Sequence, residues 1–187
     1  MLGLSNDGVH FRMRETLEEA LIAGDKLYSR WKPWADVTVE TWLLPANPWH
    51  IRLHRIVTPR PLQTSEGGFA IPRADLNVDI AEQSQGQAVW HGQTDSSAIF
   101  DLSPAFRRNG TAISAIANSN LIHAKTLVPQ LRGEIATGTT VLATAAVALP
   151  KADFGADLLQ NPPKCPAIEE LEQLFRNEGI AVPVFGD

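Results

Sequence analysis

The stretch from residue 31 to residue 58 constrains the fold most, because it predicts a β-hairpin with two long arms. The first arm, residues 36–44, is rich in Val, Thr and Trp, which suit a pleated and half-buried surface. Residues 45–48 contain two prolines and supply a turn, since proline cannot donate to a strand ladder. The second arm, residues 49–57, alternates with the period of two that is typical of a strand.

The alternation divides the hairpin into two faces if Leu44 pairs with Trp49 across a four-residue loop. A core face is predicted for five large apolar residues: Trp42, Leu44, Trp49, Ile51 and Leu53. Glu40 is expected near Arg55 on this face, where the two would form a cross-strand ion pair.

The opposite face places Val37, Val39 and Thr41 against a polar stripe, which we define as His50, Arg52 and His54. Arginine can bind a carboxylate with two hydrogen bonds, and histidine can transfer protons near neutral pH. The alternative is a solvated or inter-domain sheet face with purely structural hydrogen bonds. One metal ion shared by both histidines is disfavoured, since residues four apart on a strand are about 13 Å apart.

Composition limits the class of protein. The 187 residues, of which 44% are hydrophobic, suit one domain or one domain with extensions. A net charge of −5 without a basic run argues against a nucleic-acid partner. The single cysteine, Cys165, excludes an intramolecular disulfide and fits a reducing, cytoplasmic compartment. The start of the sequence lacks the apolar core of a signal peptide, and residues 141–149 are too few to span a bilayer.

Short strand signals separated by turns predict a mainly β fold, an antiparallel, supersandwich-like β-sandwich. After the hairpin they lie at residues 69–71, 87–91, 97–102, 111–117, 125–135 and 139–149. Helical spacing of apolar residues predicts an N-terminal helix over residues 14–30 and a short C-terminal helix over residues 167–178. The expected organisation is a helical extension (1–30), the sandwich (31–150), and a linker, helix and tail that pack on it (151–187).

Three motifs carry a resemblance to a known family. They are the hairpin sequence KPWADVTVETWLLPANPWHIRLHRI, the following SEGGFAI, and the later ANSNLI. From about residue 27 to its end, the chain resembles the C-terminal part of proteins in domain-of-unknown-function family 2264 (DUF2264). Members of this family look like a helical toroid joined to a β-sandwich, as in heparinase-like polysaccharide lyases. Some of its relatives are associated with hydrolysis of glucuronides.

The resemblance implies that this chain supplies one wall of a site for an acidic saccharide and is not catalytic alone. In toroid-plus-sandwich enzymes the cleft lies between the two parts, so a hydrolase or lyase would need a helical toroid. The alternative is a non-catalytic module that binds sugar, a toroid partner or a second copy of the chain. A metal-dependent jelly roll is a weaker option, because no His-x-His pair is present.

Candidate site residues follow from these patterns. The expected catalytic residues are Glu66, as an acid or base before two glycines, with His50 and His54. The expected substrate-binding residues are Arg52, Trp34, Asn118 and Asn120, although asparagines often only form turns and tryptophans are often core anchors. A second carboxylate, which glycoside hydrolysis usually needs, would be Asp75, Asp79, Asp95 or Asp101. No metal and no cofactor are expected.

Overall fold

The computed structural model describes residues 2–7, 9–12, 17–69, 71–72, 79–84, 86–103, 126–127 and 129–179. Its strands, in chain order, are β1 (Leu2–Asn6), β2 (Val9–Arg12), β3 (Leu17–Ala23), β4 (Lys26–Trp34), β5 (Val37–Ala46), β6 (Trp49–Thr58), β7 (Leu62–Gly67), β8 (Ile71–Pro72), β9 (Asp79–Ser84), β10 (Gln87–His91), β11 (Asp95–Asp101), β12 (Thr126–Leu127), β13 (Gln130–Ile135) and β14 (Gly138–Pro150). A 3-10 turn (Lys151–Asp153) and two helices follow, α1 (Ala156–Gln160) and α2 (Ile168–Asn177).

Two antiparallel sheets hold most of these strands. Within the described ranges, the large sheet has eight strands in the order β3-β4-β5-β6-β14-β11-β10-β9, and the small sheet has four in the order β13-β7-β1-β2. The short strands β8 and β12 pair with each other. The prediction of a mainly β, antiparallel fold is therefore confirmed, and the predicted hairpin, β5 with β6, lies in the middle of the large sheet.

Each face of the large sheet has its own cover. The small sheet packs on one face, where a shared core joins residues of both sheets: Leu2, Leu4, Leu62, Leu131 and Ile135 with Val37, Val39, Ile56 and Ile99. On the other face, Leu171 and Phe175 of α2 pack against Tyr28, Trp42 and Leu53. Leu171 and Phe175 are four residues apart, so they share one side of the helix. We call the two sides of the large sheet the inter-sheet face and the helix face.

The hairpin register differs from the predicted one by two residues. Ala46 pairs with Trp49, and Leu44 pairs with Ile51 rather than with Trp49, because the strand continues to Ala46 and only two residues form the loop. A shift of two residues preserves the face of every side chain, whereas a shift of one would exchange the faces. Glu40 consequently lies opposite Arg55 and forms the predicted ion pair with it.

The predicted N-terminal helix is wrong. Residues 17–34, which were expected to be largely helical, form the strands β3 and β4 instead. Gly24 adopts a positive φ of 58° in the turn between them, a conformation that glycine tolerates. Pairing of β4 with β5 along the large sheet then overrides a weak helical pattern.

Other elements agree with the sequence analysis. Strand β10 has the predicted bounds, and α2 lies within the predicted C-terminal helix. The strand expected at residues 111–117 lies outside the described residues, and the division of the chain at residues 30 and 150 stays a prediction. None of the helices in the described ranges is long and apolar enough to cross a bilayer. The cytoplasmic location also stays a prediction.

Candidate functional site

The polar stripe of β6 faces the small sheet. Ile56, which has the same parity as His50, Arg52 and His54, belongs to the core that the two sheets share. Strand β7 of the small sheet sends Glu66 into the same space, since Glu66 pairs between Leu2 and Leu131, two members of that core. The predicted stripe and the predicted glutamate therefore come from different sheets and meet between them.

Glu66 is the centre of a contact chain. Arg52 Nη1 donates to Glu66 Oε1 at 2.6 Å and also to the carbonyl oxygen of Gly67. On the other carboxylate oxygen, His54 Nε2 lies 3.2 Å from Glu66 Oε2. Thr41 Oγ1 lies 2.8 Å from His54 Nδ1. We call these four residues, Thr41, His54, Glu66 and Arg52, the buried tetrad.

Two opposing effects, burial and nearby positive charge, set the pKa of Glu66. Its side chain is 0% exposed and that of His54 is 2% exposed. Burial raises the pKa of the Glu66 carboxyl, but the positive charges around it, those of His54 and Arg52 among them, outweigh burial and hold the pKa well below its ordinary value. Glu66 is therefore an ionised acceptor at neutral pH rather than a general acid with a raised pKa.

One edge of Arg52 faces outward. The side chain is 13% exposed, and both of its hydrogen bonds leave from Nη1. Among the described residues, Nε and Nη2 of Arg52 have no partner. The guanidinium carbon lies 5.6 Å from the ring centre of Phe69, and the exposed His50 ring lies 5.4 Å from Phe69 in an edge-to-face contact. We call the outer edge of Arg52, with Phe69 and His50, the rim.

Trp34 does not join this site. It pairs with Val37 at the opposite end of the hairpin, level with Thr58, which is six residues from Arg52 and so roughly 20 Å away. It packs against the shared core, with Arg60 at 5.3 Å from its ring centre. A tryptophan wall next to the polar stripe is thus not formed by this residue.

The remaining candidates are distributed as follows. Asn118, Asn120 and Asp75 lie outside the described residues, as does the side chain of Asp79. Asp101 is buried on the same face as Arg52, two strands away and hence about 10 Å from it, and accepts hydrogen bonds from Ser103. Asp95 begins the same strand, β11. No group of three metal-binding side chains occurs within the described ranges.

A second buried charge cluster lies on the helix face. Glu40 accepts a hydrogen bond from Tyr28 Oη at 2.9 Å and another from Arg55 Nε. Arg55 Nη2 donates to Glu172 Oε1 of α2 at 3.3 Å. Burial and the charge of Glu40 hold the pKa of Tyr28 far above its ordinary value, so Tyr28 stays a donor. We call Tyr28, Glu40, Arg55 and Glu172 the helix-face cluster.

Two residues of the site were not predicted as site residues. The sequence places Thr41 on the face of the stripe, which was the available signal for its role, and the structure pairs it with His54. Phe69 belongs to the motif SEGGFAI, in which the predicted site residue is Glu66, before two glycines. The catalytic role assigned to Glu66, His50 and His54 stays a prediction.

Parts of larger proteins of known structure are similar to this chain. The heparan sulfate lyase HepC from Pedobacter heparinus has a TM-score of 0.52 and 11% identity, covering 74% of this chain and 22% of that one. A HepC mutant gives 0.51 and 10%, covering 72% and 21%. A putative kojibiose phosphorylase from the human microbiome gives 0.48 and 6%, covering 96% and 25%. This chain therefore spans about a quarter or less of the length of these proteins.

The likeness to these structures concerns the fold alone, because the identities are low. No curated protein matches the sequence. The family comparison is more specific, since the family described as DUF2264 C-terminal domain matches residues 1–170. The match includes the hairpin, the tetrad and the rim. This chain therefore belongs to the DUF2264 C-terminal domain family.

Proposed function

We propose that this chain is the β-sandwich part of a carbohydrate-active protein and that its rim forms one wall of a site for an acidic saccharide. The observation that carries the proposal is that the guanidinium of Arg52 is bound on one side and open on the other. Its Nη1 is held by Glu66 and Gly67, while Nε and Nη2 have no partner in the described part of the chain. An arginine held in this way is ready for an external anion.

The open edge of Arg52 fits a carboxylate. Nε and Nη2 of a guanidinium lie side by side and can donate two parallel hydrogen bonds to two carboxylate oxygens. Because Arg52 is already held in place, binding does not have to immobilise a long flexible side chain. Phe69 offers an apolar ring beside this edge, and the exposed His50 offers a donor or acceptor to a hydroxyl. A uronic acid carries both kinds of group.

Catalysis would require groups from outside this chain. A general acid or base must lie within hydrogen-bond reach of the reacting atom, and Glu66 and His54 are shielded by the two sheets. Of the three proposed catalytic residues, His50 alone is exposed at the rim. We propose that a helical toroid facing the rim supplies the remaining groups, in a glucuronidase-like hydrolase or a polysaccharide lyase.

Calorimetric titration with methyl β-glucuronide tests the proposal. Arg52→Lys keeps a positive charge next to Glu66 but removes the two-pronged edge, so the affinity should fall at least about tenfold. Arg55→Lys is the matched control, because Arg55 lies three residues away on the opposite face and should leave the affinity unchanged. Absence of saturable heat with the unaltered chain, or equal affinities for Arg52→Lys and the unaltered chain, would contradict the proposal.

A second candidate function, protein interaction, is favoured by one observation. Strand β3 is an edge of the large sheet, and its Ile22 and Leu17 are 70% and 53% exposed. Exposed apolar residues on an edge strand favour association with another chain, such as a toroid or a second copy. Sedimentation should then show a dimer that Ile22→Lys dissociates. A monomer at all concentrations would count against association between copies.

A further inference from the structure

We infer that Glu66, His54 and Thr41 are positioning residues, which set the affinity of the site for a carboxylate by fixing Arg52 without touching the saccharide. The inference rests on the proposed function for its ligand, but its structural part can be tested without any ligand. It assigns the tetrad a role different from acid–base catalysis.

The first step is the burial of the three residues. Glu66 and Thr41 are 0% exposed and His54 is 2% exposed, so a saccharide at the rim cannot reach them. Arg52 is the one member of the tetrad with an exposed part, and that part is the edge away from Glu66. The other three therefore do not contact a ligand at the rim, and their contacts reach it through Arg52.

The second step is the order of donors and acceptors. The ionised Glu66 can only accept: Arg52 Nη1 donates to its Oε1, and His54 Nε2 lies within ion-pair distance of its Oε2, at 3.2 Å. On the other side of the ring, Thr41 Oγ1 lies 2.8 Å from His54 Nδ1, so each imidazole nitrogen faces a polar partner. Each contact fixes the orientation of the next side chain, from Thr41 through His54 and Glu66 to Arg52.

The third step is the second anchor of Arg52. Nη1 also donates to the carbonyl oxygen of Gly67, the residue that follows Glu66 in β7. Two acceptors from one strand of the small sheet thus hold one nitrogen of an arginine from the large sheet. This arrangement restrains rotation of the guanidinium and keeps Nε and Nη2 aimed outward.

Two substitutions disturb this chain of contacts without removing Arg52. Glu66→Gln replaces a carboxylate with an amide that has one acceptor oxygen, so residue 66 can no longer offer an acceptor to both His54 and Arg52. Thr41→Val keeps the shape of the side chain and removes only the hydroxyl at the far end. Glu40→Gln is the matched control, because it alters a buried glutamate that faces another arginine on the helix face.

The ligand-free test is nuclear magnetic resonance of the arginine Nε–H groups, with the Arg52 signal assigned by its loss in Arg52→Lys. In the unaltered chain the Arg52 guanidinium should rotate slowly, and Glu66→Gln should release it, with a smaller effect of Thr41→Val. Glu40→Gln should leave the Arg52 signal unchanged. Equal restraint of Arg52 in the unaltered chain and in Glu66→Gln would overturn the inference, whatever the ligand.

The binding test uses methyl β-glucuronide and the same variants. Glu66→Gln should lower the affinity about tenfold and Thr41→Val about threefold, in the range expected for charge-assisted and neutral hydrogen bonds. Glu40→Gln should not change it. An equal loss in Glu66→Gln and Glu40→Gln would indicate general damage to the sandwich and overturn the inference. If the unaltered chain binds no glucuronide while Arg52 is released as expected, the positioning role stands and the proposed function fails.

Discussion

Two arginines of β6 meet buried glutamates on opposite faces of the large sheet, and they are used differently. Arg55 donates from Nε to Glu40 and from Nη2 to Glu172, so its Nε–Nη2 edge is bound to two carboxylates. Within the described ranges, Arg52 donates from Nη1 alone, to Glu66 and to Gly67. The two are three residues apart on one strand, an odd separation that places them on opposite faces.

The difference lies in the covers of the two faces rather than in burial alone. Helix α2 brings Glu172 to Arg55 and supplies an acceptor for its Nη2. The small sheet approaches Arg52 from one side and leaves the other edge to the rim, beside Phe69 and His50. An arginine with Nε and Nη2 both bound to carboxylates supports the fold, whereas one whose Nε–Nη2 edge is open is available for recognition.

The largest expected effect is on folding, from Arg55→Ala. It leaves Glu40, which is 1% exposed, with Tyr28 as its remaining hydrogen-bond partner in the described ranges. Breaking a buried ion pair from one side should lower the free energy of unfolding by about 3–5 kcal/mol. Urea unfolding followed by tryptophan fluorescence measures this loss.

Arg52→Ala is the matched comparison for Arg55→Ala. Its loss should be smaller, because His54 still faces Glu66 at 3.2 Å. Equal losses for the two variants would mean that both arginines are structural to the same degree, and the distinction between the two faces would fail.

The second effect is the loss of stability at low pH. The folded pKa of Glu66 is depressed relative to its ordinary value of 4.5, so its contribution to stability is complete above about pH 4.5 and is lost as the pH falls through the folded pKa. The unaltered chain should therefore lose more stability between pH 6 and pH 3 than Glu66→Gln does. Unfolding in urea at a series of pH values measures the two slopes.

Asp36→Asn is the control for the acid experiment. The hydrogen bond from Arg60 also lowers the pKa of Asp36, but this pair is on the surface, where solvent screens it. The pH slope of Asp36→Asn should therefore match that of the unaltered chain. A flatter slope for Asp36→Asn than for Glu66→Gln would place the acid sensitivity on the surface and not between the sheets.

The two faces of the hairpin could be predicted because strand alternation is a local property. The error of two residues in the register of Leu44 did no harm to the faces, and Glu40 still reached Arg55. The sequence analysis grouped Glu66 with the polar stripe, and in the structure Glu66 contacts Arg52 and His54 of that stripe. Two members of the helix-face cluster, Glu40 and Arg55, were also predicted to pair.

Other features depend on contacts between distant parts of the chain. Residues 17–31 carry apolar residues at helical spacing, and nothing local shows that β4 will pair with β5 instead. The inter-sheet position of the stripe could not be predicted either, because the sequences of β1, β7 and β13 do not show that these strands form a second sheet over it. Sequence therefore suggested that the stripe was an open or solvated face, and the small sheet turned most of it into a core.

The smallest expected effect comes from Glu172→Gln, which removes one carboxylate partner of Arg55. Glu172 contacts Arg55 at 3.3 Å and the more exposed Arg176 at 3.2 Å. Arg176→Gln removes only the surface pair, which should contribute about 0.3–0.5 kcal/mol, whereas Glu172→Gln should cost about 1 kcal/mol. The difference between the two losses isolates the contact with Arg55. If this difference is zero, the hydrogen bond from Arg55 Nη2 to Glu172 contributes nothing to stability. Occupancy of the Nε–Nη2 edge would then not distinguish the structural Arg55 from Arg52.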